Sequence, residues 1–255
     1  MRCPRCLAAL LLAALSMLLL LSGCNTDTTA SKSVAEPVSP MELTYATQFS
    51  VDKYANGCRL VTIANDRYLV VPEGITPPGD LDENIVLLQQ PLDNIYLVAT
   101  SAMDLFRALD SLDCVRLSGT DADGWYIPEA KQAIENGKML YAGKYNAPDY
   151  ERILSEGCNL AVESTMIYHT PEIKEQLERL GIPVLVERSS YEAHPLGRME
   201  WIKLYGVLLG REDEAEQIFS QATAALEPIL KQPSTDKTVA FFYINSTGTV
   251  NVHKS

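Results

Sequence analysis

The sequence predicts an α/β fold: a three-layer lobe on a mostly parallel sheet, then long helices, then one further strand. Three observations lead there. Short apolar runs alternate with helical segments between Ile85 and Val186, the rhythm of βαβ units. Two long amphipathic stretches then follow each other with no strand between them. Finally, a new apolar run opens at Thr238.

The elements follow in order. Arg59–Val71 is rich in Val, Ile, Leu and Tyr and reads as a β-hairpin turning at Asn65-Asp66. Pro72-Glu73-Gly74 and Thr76-Pro77-Pro78-Gly79 break the chain. Ile85–Leu88 and Ile95–Ala99 are strands, with a helix over Ser101–Leu109 behind the second. Val115–Leu117 is a short strand, and Pro128–Asn136 is a helix closed by Gly137, which tolerates the left-handed backbone of a helix end. Lys138–Ala142 is extended, Pro148–Ser155 is helical and ends at Gly157, and Asn159–Val162 is a buried strand. Pro171–Leu180 is a helix with Pro in its first turn and Gly181 after its end. Val184–Val186 is again a strand.

Pro195–Leu209 is one helix, with Leu196, Met199, Ile202 and Tyr205 near one face. After Gly210, Glu212–Leu230 is a second, with Ala215, Ile218, Phe219, Ala222 and Leu226 on one face. Pro233-Ser234-Thr235-Asp236 is a loop, Thr238–Ile244 reads as a fresh buried strand, and a turn follows near Ser246-Thr247-Gly248. The stretch from Thr238 to Ser255 is too short to bury a core alone. Either it completes the first sheet or it begins a unit that is absent.

The amino terminus carries Arg2 and Arg5, an apolar run from Leu7 to Leu21, and then Leu21-Ser22-Gly23-Cys24. Positive, apolar and small-residue regions in that order read as a secretory signal. Leu-Ser-Gly-Cys resembles the lipobox of bacterial lipoproteins. That resemblance makes residues 1–23 the signal peptide and Cys24 the lipidated (palmitate-bearing) first residue of the mature protein. Residues 24–40 are small and polar, a flexible tether from lipid to folded body. The protein is then expected in the cell envelope, on the outer face of the cytoplasmic membrane.

The formal net charge is −12, and no basic stripe interrupts it. This argues against nucleic acid as a partner, since phosphate contacts need clustered Lys and Arg. Of six cysteines, Cys3 and Cys6 fall in the signal and Cys24 is the lipid site. Cys58, Cys114 and Cys158 allow at most one disulfide within a monomer and read as buried small apolar residues. His169, His194 and His253 are dispersed and form no metal-ligand spacing. The chain has no G-x-S-x-G, P-loop or G-x-G-x-x-G. Neither an enzyme nor a cofactor is expected.

Ligands in open α/β sheets bind beyond the carboxyl ends of the strands. Thr100 and Ser101, Ser164 and Thr165, and Ser189, Ser190 and Tyr191 all follow predicted strands there. They are candidate ligand-binding residues, although each hydroxyl alone could be a helix cap. Glu163, at a strand end, could be buried, paired or functional. Trp125 and Tyr126 are a cleft-edge loop or a plug on the sheet, and Trp201 reads as core.

Tyr141-Ala142-Gly143-Lys144-Tyr145-Asn146-Ala147-Pro148-Asp149-Tyr150-Glu151-Arg152-Ile153-Leu154, followed by Gly157-Cys158-Asn159-Leu160-Ala161-Val162, resembles a segment of the periplasmic binding proteins for iron complexes and vitamin B12. Leu180-Gly181-Ile182-Pro183-Val184 and His194–Lys203, with Leu209-Gly210 and Glu214-Ala215, fit the same family. The resemblance implies two α/β lobes bridged by a long helix. Here residues 41–194 are the N-terminal lobe, 195–231 the inter-lobe helices, and 238–255 the start of a truncated, incomplete second α/β lobe. It further implies a lipid-anchored substrate-binding protein of an ABC importer, delivering a siderophore, heme or corrinoid to a permease. Glu151 then docks on the permease, and Tyr145 aligns with an aromatic of the ligand cleft, or is a core tyrosine; Lys144 beside it could meet ligand carboxylates or be solvated surface. The rival reading is a single-lobe lipoprotein serving as an adaptor or sensory module.

Overall fold

The computed structural model describes residues 37–79, 81–233, 236–238, 240–245 and 247–253. The signal peptide, Cys24, the tether up to Glu36, Ser246 and Ser255 lie outside the described residues. Pro37–Pro77 and the chain from Glu83 onward form one unit, and Pro78–Asp82 groups apart from it.

The first unit of structure is a five-stranded sheet in chain order: β1 (Ser39–Pro40), β2 (Phe49–Lys53), β3 (Arg59–Ile63), β4 (Asp66–Val71) and β5 (Ile85–Gln89). Neighbours are antiparallel up to β4, and β5 then runs parallel to β4. The expected hairpin is β3–β4, with its turn at Ala64-Asn65, one residue earlier than anticipated. Ala64 takes the left-handed backbone (φ 53°) that a two-residue hairpin turn demands. Ser39 and Pro40, placed in the tether by composition, pair with β2.

The second sheet comprises β6 (Ile95–Leu97), β7 (Val115–Ser118), β8 (Leu140–Tyr141), β11 (Leu160–Ser164) and β12 (Val184–Glu187). Its order is β12-β11-β6-β7-β8, and every pair is parallel. A small hairpin, β9 (Gly143–Lys144) and β10 (Ala147–Pro148), follows β8. The connecting helices are α1 (Met103–Ala108), α2 (Pro128–Glu135), α3 (Tyr150–Ser155) and α4 (Pro171–Arg179). The mostly parallel sheet expected from the sequence is this one. The sequence showed the other sheet only as the β3–β4 hairpin and the run that becomes β5, without joining them. Pro148 belongs to β10, and the helix after it starts at Tyr150 with Asp149 as its cap.

The parallel sheet is covered on both faces, the arrangement parallel strands require. On one face Tyr96, Leu117, Ala161, Val184 and Val186 pack with Ile153 of α3 and Leu177 of α4. On the other, Ile95, Leu97, Val115, Val162 and Leu185 share a core with the first sheet, α1 and α5 (Pro195–Leu209). α5 was expected to bury one face. Leu196, Trp201, Ile202, Leu204, Tyr205, Val207 and Leu208 are all buried, and from Glu200 to Leu208 it is enclosed on every side. α6 (Glu212–Leu230) buries Ala215 and Phe219 near its start and exposes Ile229 near its end.

Two carboxylates fasten the segment before β2 to α5. Glu200 accepts from the backbone N–H groups of Thr44 (2.9 Å), Tyr45 (2.7 Å) and Ala46 (2.8 Å) and pairs with Lys203 at 3.1 Å. Glu192 accepts from the N–H groups of Thr47 and Gln48 (both 2.9 Å) and from the Trp201 indole (2.9 Å). Trp201 is core, as read. Desolvation raises both carboxyls, but the donors outweigh it and hold both below their ordinary value.

The C-terminal run departs from expectation. The strand is β13 (Phe241–Ile244), paired antiparallel with β14 (Val250–His253) in a sheet of its own. Its residues are 54–72% exposed rather than buried. An all-apolar strand suits cover on both faces, and among the described residues nothing supplies that cover. The cysteine expectation holds for Cys58, which is buried; Cys114 and Cys158 are half-buried, and all three are free.

Depressed carboxyls stabilise the fold above the ordinary carboxylate range and lose that contribution as pH falls through the depressed values. Glu200→Gln should therefore lose about 3 kcal/mol at pH 7. It should also flatten the fall in stability on acidification, read from urea melts between pH 3 and 7. An unchanged acid slope would remove Glu200 from this role.

Candidate functional site

Parallel strands send their carboxyl ends to one edge of the sheet. β11 lies between β6 and β12, so the residues after these three strands converge there. The carboxylate closing β12, Glu187, ties the edge together. The Ser101 hydroxyl donates to its Oε2 at 2.7 Å, and the Ser189 N–H donates to its Oε1 at 2.8 Å. Beside this tie, the hydroxyls of Thr165 and Tyr191 are 3.2 Å apart. The guanidinium of Arg188 lies over the Tyr191 ring, 4.9 Å from its centroid.

Of the seven residues read from strand ends, the structure links Ser101 with Ser189 through Glu187, and Thr165 directly with Tyr191. Ser164 Oγ instead accepts from Met166 N–H at 3.4 Å, capping the 3-10 turn Thr165–His169. Thr100 and Ser190 are exposed, and the Ser190 carbonyl accepts from Arg198 at 3.1 Å. Sequence reasoning missed Glu187 and Arg188. Their signal was a charged pair closing the otherwise apolar strand Val184-Leu185-Val186.

Lys144 and Tyr145 sit on the β9–β10 hairpin, beyond β8 at the opposite end of the strand row. Gly143 takes a left-handed φ of 87°, and a Cβ there would collide with the Ala147 carbonyl. The Tyr96 hydroxyl donates to the Gly143 carbonyl at 2.8 Å and anchors the hairpin to β6. Lys144 is exposed and Tyr145 half-buried. No hydrogen bond or ion pair among the described residues joins either to the strand-end cluster. Glu151 is exposed in the first turn of α3, whose cap Asp149 accepts from the Arg152 N–H at 3.0 Å.

Glu163 on β11 is fully buried, and neither carboxylate oxygen has a hydrogen-bond partner. Burial pushes its carboxyl up to about 8, and the neighbouring hydroxyls of Tyr96 and Tyr150 feel its charge. Trp125 is a plug: its indole donates to Ser118 Oγ and the Thr120 carbonyl, both at 3.1 Å. Tyr126 beside it is 98% exposed. A cavity of about 520 Å3 opens between Leu112, Val115, Glu129 and Met139, at the amino end of β7 and away from the strand carboxyl ends. Among the described residues no cluster of three His, Cys, Asp or Glu side chains could hold a metal. No helix among them is long and apolar enough to cross a membrane.

With this geometry in view, comparison with known proteins places the fold. No family model matches the chain. An uncharacterized lipoprotein of Methanocaldococcus jannaschii is 23% identical over 180 residues, covering 66% of this chain and 42% of that protein. The periplasmic heme-binding protein HutB of Vibrio cholerae matches with a TM-score of 0.50 at 18% identity, over 62% of this chain and 57% of HutB. The siderophore-binding protein BauB, bound to a complex of two acinetobactin molecules and ferric iron, matches with a TM-score of 0.53 at 13% identity, over 65% of this chain and 57% of BauB. This chain spans about half the length of these proteins. Its fold is that of a lobe of the periplasmic heme- and siderophore-binding proteins.

The buried Glu163 has a testable consequence. Its folded carboxyl keeps its proton to about pH 8, whereas the unfolded chain releases it in the ordinary carboxylate range. Stability therefore falls as pH rises between those limits and levels off above. Glu163→Gln, neutral throughout, should gain over the parent across that window at about 1.4 kcal/mol per pH unit. The two should match near pH 4. Parallel melting curves from pH 4 to 9 would count against a buried, unpaired carboxyl.

Proposed function

We propose that this chain is the ligand-capturing lobe of a lipid-anchored substrate-binding protein of an ABC importer. It takes up a siderophore, heme or corrinoid and hands it to a permease. The observation that carries the reading is the convergence of Ser101, Glu187, Ser189, Thr165, Tyr191 and Arg188 at the strand carboxyl ends of this fold. That is where open α/β sheets bind ligands. HutB binds heme and BauB an iron–siderophore complex, and their shared fold supports the same ligand classes here.

Cys24 supplies the lipid anchor, holding the protein near its permease and raising the effective concentration. Glu151, exposed on α3, offers a carboxylate that steers and registers docking. Residues 41–194 form the lobe, 195–231 the bridge, and 238–255 the opening of a second lobe. The adaptor reading needs the chain after Thr238 to fold back with no exposed apolar strand. Phe241–Ile244 are exposed, which favours the transport reading.

Two measurements test it. In detergent, the lipoprotein should quench its tryptophan fluorescence saturably but weakly with heme, a ferric siderophore or cobalamin, and Tyr191→Ala should weaken the response further. No saturation by any of the three would sink the proposal. Labelled palmitate should enter the wild-type protein in a lipoprotein-processing host and not Cys24→Ser; equal labelling would exclude the anchor.

A further inference from the structure

Arg59, Arg107, Arg116 and Arg152 each face a carboxylate, and Arg179, Arg198 and Arg211 each donate to a backbone carbonyl. Arg188 does neither. Among the described residues its side chain makes no hydrogen bond or ion pair, its Nε is buried without a partner, and its one neighbour of note is the Tyr191 ring. A guanidinium cannot shed its proton, and a buried N–H without an acceptor is costly. The arrangement is complete only when an acceptor arrives.

Two carboxylates stand close in sequence or register, and neither pairs with it. Glu187 precedes Arg188 directly, but it closes β12 while Arg188 lies beyond the strand at the head of the next turn, and Glu187 is committed to Ser101 and Ser189. Glu163 pairs in register with Val186, two residues before Arg188, and its oxygens have no partner at all. Meanwhile Tyr191, 55% exposed, is steadied by Thr165 beneath the guanidinium. The site thus presents an uncompensated planar cation backed by an aromatic face, between strand ends rich in hydroxyls.

We infer that Arg188 is the anion anchor of the ligand site and selects ligands that carry a carboxylate. A guanidinium fork receives a carboxylate through two parallel N–H donors, and the Tyr191 ring and the Thr165 hydroxyl complete the rim. This deepens the transport reading and rests on it. Among the three ligand classes, it favours heme and carboxylate iron chelates over cobalamin, which carries amides and a single phosphodiester but no carboxylate.

The test uses the full lipoprotein in one detergent, with heme, heme dimethyl ester, ferric citrate and cobalamin as probes. Heme should bind wild type at least about tenfold more tightly than its dimethyl ester, the loss of one charge-assisted contact. Arg188→Gln should lower heme affinity by a similar factor and leave the ester unaffected, with Arg188→Lys in between. The ester comparison on wild type needs no variant to fold. Heme binding that ignores both esterification and Arg188→Gln would overturn the anchor while leaving the transport reading in place. If ferric citrate binds instead of heme and Arg188→Gln abolishes it, the anchor stands with a chelate as its ligand. Failure of all four probes on wild type would overturn both.

Discussion

A helix enclosed on every side can hold a carboxylate only if donors are brought to it, and the fold is organised around one such case. Glu200 is buried in the middle of α5, where a bare charge would cost several kcal/mol. Three successive backbone N–H groups, Thr44 to Ala46, point at it. They belong to a segment outside any strand, so the same contacts satisfy donors that would otherwise lack partners. Glu192 repeats the arrangement for Thr47 and Gln48. The segment leads into β2, so the first sheet is fastened to α5. α5 in turn fills the core against which the parallel sheet packs. Sheet, helix and sheet hold together through this join.

At the strand ends the same economy of donors has the opposite outcome. Glu187 is used up by Ser101 and Ser189, which braces β12 to β6 over the end of β11. Bracing the frame leaves the adjacent guanidinium without a counter-charge. Rigidity and binding potential at this edge thus have a common origin in which way one carboxylate turns. The Lys144–Tyr145 hairpin, held by Tyr96 at the far end of the row, is a separate feature of the same edge.

Much of the parallel half was legible in advance. The runs from Ile95 to Val186 become strands and helices within one or two residues of their expected ends, because Pro and Gly mark the boundaries. The hydroxyls of Ser101, Thr165 and Tyr191 were legible as strand-end residues, but their partners were not. Ser164 could be a ligand residue or a cap from sequence; the structure makes it a cap. α5 was misjudged because a four-residue stripe looks amphipathic even when the other faces are apolar too. Phe241–Ile244 was taken as buried on hydrophobicity alone, and burial depends on what covers a strand.

By itself, the sequence determined the alternation of strands and helices, the parallel sheet and the hydroxyl-bearing residues at its carboxyl edge. These follow from periodicity and chain breakers, which act over a few neighbours. Only the tertiary structure decided that β1 to β5 form a second sheet, that α5 is enclosed, and that Arg188 is left unpaired while Glu187 is not. The reason is physical. Thr44 and Glu200 lie 156 residues apart, and Ser101 and Glu187 lie 86 apart. Which buried donor meets which acceptor is settled by packing in space, and no local pattern carries it.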